Sequence, residues 1–322
     1  MGYYLGIDLG GTNIKAGVVD DEFRIVGRAK AKTGMPRPAE EVMDAMAECA
    51  GKAAEDAGVF WEQIERIGVG VPGTANEDTG VVEYANNLMF ENVPVRAYLQ
   101  EKLHKEVDIT NDANAAAVGE VLAGAAKGTS NAVAVTLGTG VGGGIIIDGR
   151  LFTGLHYGGA ELGHMGIVMG GRQCTCGRRG CLEAYASATG LIRTTKEAMD
   201  AHPDSLMWKL TAENGGRVSG RTAFQAAKQG DAAAQAAVDT FIGQLGYGLA
   251  NIINILAPEV LVIGGGVSNE GENLLRPLVE SVRPQLYVRV PEKQTRIVLA
   301  TLGNDAGLIG AAKFYMDRAG AS

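Results

Sequence analysis

Short apolar runs rich in β-branched residues, each closed by a glycine or acidic turn, open the chain. Their residue types predict three strands, at residues 3–8, 14–20 and 24–31. Turns are expected at Gly10-Gly11 and Asp20-Asp21, because glycine and aspartate readily adopt turn conformations. The chain therefore begins with strands joined by tight turns.

A helical period follows the third strand. Val42, Met46 and Ala50 fall on one face of a helix predicted over about Ala39–Ala57. Three more elements are predicted after it: a buried strand at 67–71 stopped by Pro72-Gly73, a strand at 107–110, and a helix over about 114–126. The resulting order of these predicted elements is βββαββα.

The same order begins again in the second half. When residues 3–20 are aligned with 131–148, Leu9, Gly10 and Asp20 match Leu137, Gly138 and Asp148. Both copies consist of strand, glycine turn and strand, and α/β sequence follows each. The remaining predicted elements are a long helix over about 232–256, strands at 260–263 and 296–301, and a helix over about Ala306–Asp317.

This repetition predicts an α/β protein with two topologically similar lobes that face one another across an interlobe cleft. We expect the first lobe to comprise residues 1–111 with 303–322, and the larger second lobe residues 112–302.

Composition narrows the class of partner. The net charge is −8, which argues against nucleic acid and anionic membranes as partners. No apolar run approaches the ~20 residues of a membrane span, and we expect no secretory signal, because no basic segment followed by an apolar run opens the chain. A cytoplasmic protein with a small-molecule partner is expected.

The first glycine turn is a candidate phosphate site. Its glycines let backbone N–H groups approach a phosphate closely, and Asp8 is placed to bind Mg²⁺ through water. Lys15 offers a positive charge, although its position on a strand does not fix its direction. The candidate residues here are Asp8, Gly10, Gly11, Thr12, Asn13 and Lys15. The alternative is an ordinary hairpin with a solvated lysine.

Two further glycine clusters follow strands. The cluster Gly138-Thr139-Gly140 precedes the strand residues Ile145-Ile146-Ile147, so it differs from a dinucleotide-binding fingerprint, which precedes a helix. Gly264-Gly265-Gly266 follows the strand at 260–263 and would let adenine or ribose approach the backbone. The three clusters together predict polyphosphate binding outside the P-loop and Rossmann classes.

A cysteine-rich segment supplies a complete metal-binding set. One imidazole and three thiols stand at His164, Cys174, Cys176 and Cys181, which suits tetrahedral zinc. Four protein ligands leave no open position, so the zinc is expected to be structural. Glu161 and Glu183 flank the segment and are candidates to accept hydrogen bonds from sugar hydroxyls, the alternative being solvated surface acids.

One acid is placed for proton transfer. Asp112 lies between an apolar strand and an alanine-rich helix, where it is either a helix cap or the general base of a kinase. Asn86-Asn87 and Pro72-Gly73 follow strands or lie in loops and offer amide and backbone contacts to sugar oxygens.

In this order, the motifs resemble the ROK family (repressors, open reading frames and kinases) of actin-like, ribonuclease H-like sugar kinases, and within it the bacterial glucokinases. The resemblance covers essentially the whole chain and includes the three glycine clusters, Asn111-Asp112, Glu161-Leu162-Gly163-His164 and the cysteine run.

The resemblance implies an ATP-dependent hexose kinase with Asp112 as base, ATP and Mg²⁺ between the lobes, structural Zn²⁺, and a homodimer or homotetramer. Glucose is the favoured hexose. The implied hexose contacts are Asn87, Asn111, Glu161, His164 and Glu183, with His164 binding zinc through its other nitrogen. Family repressors carry an N-terminal helix-turn-helix, whereas the first strand here begins at residue 3, so DNA binding is disfavoured.

Three alternatives stay open at this level. The same motifs serve kinases for N-acetylmannosamine and other hexoses. A non-catalytic sugar sensor would bind hexose without turnover, and an actin-like ATPase would hydrolyse ATP without sugar.

Overall fold

The structure, a computed structural model, describes residues 2–314. Its strands are β1 Tyr3–Leu9, β2 Asn13–Val19, β3 Ile25–Lys32, β4 Ile64–Val71, β5 Thr74–Asn76, β6 Val81–Ala85, β7 Phe90–Val93, β8 Val107–Asn111, β9 Ala132–Leu137, β10 Val141–Ile147, β11 Arg150–Leu151, β12 Val260–Gly264 and β13 Arg296–Leu299. Its helices are α1 Ala39–Ala57, α2 Val95–Leu103, α3 Asp112–Leu122, α4 Glu183–Ala186, α5 Ala188–Ala201, α6 Leu206–Glu213, α7 Thr222–Ala227, α8 Ala232–Leu256, α9 Glu272–Val282 and α10 Ala306–Lys313.

The first sheet has the strand order β3-β2-β1-β4-β8. Strands β1, β2 and β3 pair antiparallel, whereas β4 runs parallel to both β1 and β8. Helix α1 packs on this sheet with Val42, Met46 and Ala50 fully buried, which confirms the predicted apolar face. The carboxyl ends of β1, β4 and β8 therefore meet at one edge.

The second sheet has the order β11-β10-β9-β12-β13, and β5, β6 and β7 form a small antiparallel sheet of their own. The β9–β10 segment repeats the strand, glycine turn and strand of β1–β2, so the internal repeat predicted from the sequence is confirmed. Parallel pairing of β12 with β13 extends the second sheet.

The chain divides into two units. One contains the described residues up to Ala134, the segment Gly144–Ala160 and the described residues from Thr301; the other contains Val135–Gly143 and Glu161–Ala300. The lobe boundaries expected from the sequence stay predictions.

Helix α10 packs directly on the backbone of the first unit. A Cβ at Gly68 of β4 would lie 1.7 Å from the Ala311 carbonyl oxygen, and one at Gly310 would lie 1.7 Å from that of Ala115 in α3. Both positions therefore require glycine. This close packing fixes α3, whose first residue is Asp112, against the sheet.

Helix α8 is buried along one side and begins at a side-chain cap. Asp231 Oδ1 accepts a hydrogen bond from the backbone N–H of Ala234 at 2.8 Å, which satisfies one of the free donors at the helix start. No helix within residues 2–314 is both long enough and apolar enough to cross a membrane.

The predicted elements are present, and the structure has further helices and strands between them. Helices α1 and α8 have the predicted bounds, whereas α3 spans Asp112–Leu122 instead of residues 114–126. The predicted last helix is present over Ala306–Lys313, and its predicted residues 315–317 lie outside the described part of the chain. The prediction missed the helices α2, α4–α7 and α9 and the strands β5–β7 and β11. The missed strands have two to five residues, which is too few positions for a clear period.

Candidate active site

Two acids predicted to act in chemistry lie at one edge of the first sheet. Asp8 pairs with Gly70 between β1 and β4, and Gly70 pairs with Thr110 between β4 and β8. Asp112 follows two residues after Thr110, and its Cα would lie 3.6 Å from a Cβ at Gly70. The parallel register therefore brings the Asp8 and Asp112 regions to the same edge.

Asn111 caps helix α3. Its Oδ1 accepts hydrogen bonds from the backbone N–H groups of Ala113 at 2.9 Å and Asn114 at 3.3 Å. Asp112 is the first helical residue, and its Oδ1 accepts the Ala113 N–H at 2.8 Å. The capping role considered for Asp112 is thus wrong: it belongs to Asn111.

The amide of Asn111 also holds the loop after β4. Its Nδ2 donates to the Gly73 carbonyl oxygen at 2.9 Å. Gly73 has a φ of +86°, and a Cβ there would lie 2.1 Å from the Tyr84 carbonyl oxygen, so only glycine fits. The structure thus brings the predicted residues Gly73 and Asn111 into direct contact.

The first glycine turn is closed by hydrogen bonds and lies against Asn87. The Gly10 N–H donates to the Asn13 carbonyl at 2.9 Å, and the hydroxyl of Thr33, a buried residue, donates to the Gly10 carbonyl at 2.6 Å. A Cβ at Gly11 would lie 3.2 Å from the Cβ of Asn87. Sequence reasoning missed both Thr33 and this approach of Asn87, since nothing local in the sequence signals them.

The structure settles the direction of Lys15. Antiparallel pairing places Lys15 opposite Asp8, and its Nζ lies 3.0 Å from Asp8 Oδ2. Both side chains keep about a quarter of their surface exposed, at 29% and 23%. A Cβ at Gly307, in the first turn of α10, would lie 3.7 Å from the Asp8 carboxyl carbon, so glycine at this position leaves space beside the acid.

In the second unit, the four predicted zinc ligands come together. One donor atom from each of His164, Cys174, Cys176 and Cys181 lies within 4.8 Å of the others. Cys174 Sγ is 3.7 Å from His164 Nδ1, and Cys176 Sγ is 3.7 Å from Cys181 Sγ. These separations and the free thiols suit a tetrahedral ion, so the donor set fits zinc.

The electrostatics of the cluster also favour a cation. Burial, with the neighbouring thiols, raises the pKa of Cys181 to about 12, and burial raises the pKa of Cys174. The backbone N–H of Arg178 lowers the pKa of Cys176. Thiolates held this close repel one another, and a divalent ion removes that penalty by binding all three.

His164 presents its two ring nitrogens to different groups. Nδ1 faces the thiols, while Nε2 lies 3.9 Å from Glu161 Oε2. Glu161 is 64% exposed, so its carboxylate remains accessible to a ligand. This arrangement suits the implied double role of His164 in zinc and hexose binding.

Glu183 contacts the second glycine turn, which the sequence did not predict. Its Oε2 accepts the Val141 backbone N–H at 3.0 Å, and its Oε1 accepts the Thr175 hydroxyl at 3.2 Å. The residues joined by the first of these bonds are 42 positions apart, so no local pattern reveals it.

The second and third glycine clusters pack on each other. Gly265 has a φ of +84°, and a Cβ there would lie 2.5 Å from the Leu137 carbonyl oxygen. At Gly138 and Gly266, no atom of residues 2–314 other than those of the adjoining residues lies within 4 Å of the position that a Cβ would take. Their open faces leave the backbone accessible to a ligand, as the phosphate prediction requires.

Comparison with known proteins identifies the family. The profile of the ROK family matches residues 4–318. Glucokinases of Halalkalibacterium halodurans and Thermotoga maritima are each 37% identical, over 96% and 98% of this chain and 93% and 98% of theirs. The crystal structure of a Streptomyces griseus ROK family glucokinase in complex with glucose and AMPPNP is similar with a TM-score of 0.82 and 36% identity, covering 97% of this chain and 98% of that one. The expected actin-like α/β fold is confirmed by this likeness, and the chain belongs to the ROK family.

Proposed function

We propose that the protein is an ATP-dependent glucokinase, which transfers the γ-phosphoryl group of ATP to the 6-hydroxyl of glucose. The observation that carries the proposal is the position of Asp112 at the sheet edge shared with Asp8, with the capping task assigned to Asn111. Similarity to glucokinases over nearly the full chain supports the same activity.

Asp112 acts as the general base in this proposal. Its carboxylate takes the proton of the 6-hydroxyl while that oxygen bonds to the γ-phosphorus and the bond from this phosphorus to the β,γ-bridging oxygen breaks, releasing ADP. Most of the rate enhancement comes from holding the hydroxyl in line with the phosphorus.

The proposed hexose contacts form two sets of residues, each described within its own unit. Asn87, Asn111 and the backbone of Gly73 lie at the strand ends of the first unit and offer amide and carbonyl groups. Glu161, His164 and Glu183 offer acceptors in the second unit. We expect the second set to accept hydrogen bonds from hydroxyls at one end of the ring, and Asp112 to act on the exocyclic CH₂OH.

The glycine clusters bind the nucleotide. Gly10, Gly11, Thr12 and Asn13 offer backbone and side-chain groups to phosphate, and Lys15, paired with Asp8, adds positive charge. Gly138, Thr139 and Gly140 are proposed to bind phosphate, and Gly264, Gly265 and Gly266 to bind adenosine. Asp8 would hold Mg²⁺ through water, and the ion would supply charge stabilisation to the transferring phosphoryl group.

Zinc is proposed as a structural ion held by His164, Cys174, Cys176 and Cys181. When bound, it fixes the loop that carries Glu161 and Glu183. Protein purified without chelator is expected to contain about one zinc per chain, measured by elemental analysis. Finding no tightly held metal would contradict the assignment.

Substrate choice is tested with a coupled ADP-release assay. Glucose is expected to give the highest kcat/KM in a panel with mannose, fructose, glucosamine, N-acetylglucosamine and N-acetylmannosamine, because buried groups that lose a hydroxyl partner can cost ~10⁴-fold in specificity. An N-acetyl sugar better than glucose by about tenfold (about 1.4 kcal/mol) would replace glucose as the substrate while leaving the kinase assignment intact.

The same assay separates the other classes. A sugar sensor releases no ADP, whereas an actin-like ATPase releases it without sugar. We also propose a cytoplasmic location, since free thiols suit a reducing compartment, and the homodimer or homotetramer that the family resemblance implies. Light scattering of the purified protein tests the assembly state.

A further inference from the structure

Glu183 contacts two parts of the second unit: the second glycine cluster, predicted to bind phosphate, and the cysteine segment, predicted to bind zinc. Its Oε2 accepts the N–H of Val141, the residue after the second glycine cluster, at 3.0 Å. Its Oε1 lies 3.2 Å from the hydroxyl of Thr175, which stands between two zinc ligands, and 3.6 Å from Cys174 Sγ. One carboxylate thus connects the glycine cluster to the segment from His164 to Cys181, here called the zinc loop.

The glycine cluster is shaped around this carboxylate. A Cβ at Gly140 would lie 2.3 Å from Glu183 Oε2, so a larger residue would displace the acid. Val141 is only 6% exposed, and loss of the carboxylate would therefore remove the acceptor of its N–H in a buried position. Both contacts favour one conformation of the cluster.

We propose that Glu183 is a positioning residue, which holds the second glycine cluster in its nucleotide-binding shape and couples that shape to the zinc loop. The inference rests on the proposed function, because it takes this cluster to bind ATP phosphates. Under this inference, Glu183 shapes the glycine cluster even without bound hexose, in addition to its predicted contact with the hexose. Since a carboxylate beside phosphates is electrostatically unfavourable, the useful property here is the hydrogen-bond acceptor and not the charge.

The variants Glu183→Ala and Glu183→Gln separate the effect of the hydrogen-bond acceptor from the effect of the negative charge. The affinity for AMPPNP with Mg²⁺ is measured by calorimetry without sugar. Alanine removes the acceptor and is expected to weaken nucleotide binding about tenfold, whereas glutamine keeps an acceptor oxygen and stays within about twofold of the parent. Both variants are expected to raise the KM for glucose, because neither a methyl group nor an amide replaces the carboxylate in the proposed hexose contact.

Glu161→Ala is the matched control. Glu161 is exposed and contacts His164, so its loss is expected to raise the KM for glucose and leave AMPPNP affinity unchanged. If Glu183→Ala binds AMPPNP as tightly as the parent, the inference is overturned. If the parent binds no nucleotide, the proposed function fails and the inference fails with it.

If Glu183→Ala loses its zinc or fails to fold, a second variant still tests the inference. Thr175→Val removes only the hydroxyl that orients Oε1, and Thr175 itself is exposed. It is expected to keep its zinc and to weaken AMPPNP binding about threefold. Parental AMPPNP affinity in a zinc-loaded Thr175→Val protein would also overturn the inference.

Discussion

Replacing Asp112 with asparagine is expected to lower kcat by several orders of magnitude while leaving the fold intact. Loss of a general base alone is typically worth ~10²–10⁴-fold, and loss of hydroxyl positioning adds to it. Folding should be almost unaffected, because Asn111 and not Asp112 caps α3. The measurements are steady-state kinetics with glucose and ATP, and thermal unfolding of both proteins.

Asp231→Asn provides the matched control, since it makes the same chemical change at another helix start. Asp231 accepts hydrogen bonds from Ala234, Ser205 and Leu206, so this variant should lose about 1 kcal/mol of stability and keep its kcat. An Asp112→Asn enzyme with turnover within about tenfold of the parent would remove Asp112 from the role of base.

Replacing Cys176 with serine is expected to abolish tight zinc binding and to raise the KM for glucose at least ~10-fold. Serine is a poor zinc ligand, and structural zinc sites couple metal binding to folding of the loop that holds them. The loop here carries Glu161 and ends at Glu183, so its loss removes part of the predicted hexose site. Zinc content by elemental analysis and glucose KM are measured on the same preparation.

Cys49→Ala is the control that distinguishes the effect of losing the metal from the effect of losing any cysteine. Cys49 is 1% exposed in the core of the first unit and belongs to a different unit from the cluster. This variant is expected to keep its zinc and its glucose KM, with some loss of stability from the small cavity. A Cys176→Ser protein that loses its zinc but keeps the parental glucose KM would show that the cluster has no structural task in the sugar site, and one that keeps its zinc would remove Cys176 from the ligand set.

Local sequence was sufficient wherever a short-range physical signal is strong. The bounds of α1 and α8 follow from long apolar periods, and the strand, turn and strand repeats follow from β-branched runs ended by glycine. The grouping of His164, Cys174, Cys176 and Cys181 was also predictable, because the ligand types are specific and three of them lie within eight residues. These features depend on neighbours along the chain.

Other features depend on residues that only folding brings together. The capping of α3 by Asn111, the direction of Lys15 toward Asp8 and the approach of Asn87 to Gly11 follow from exact strand register and backbone angles. The bond between Glu183 and Val141 spans 42 residues. A hydrogen bond needs its atoms placed to within a few tenths of an ångström, and sequence patterns specify faces and elements but not positions at that precision. The sequence by itself thus determined α1, α8 and the strand repeats, the grouping of the histidine and cysteines and the candidate base, while the tertiary structure decided which side chains share each contact.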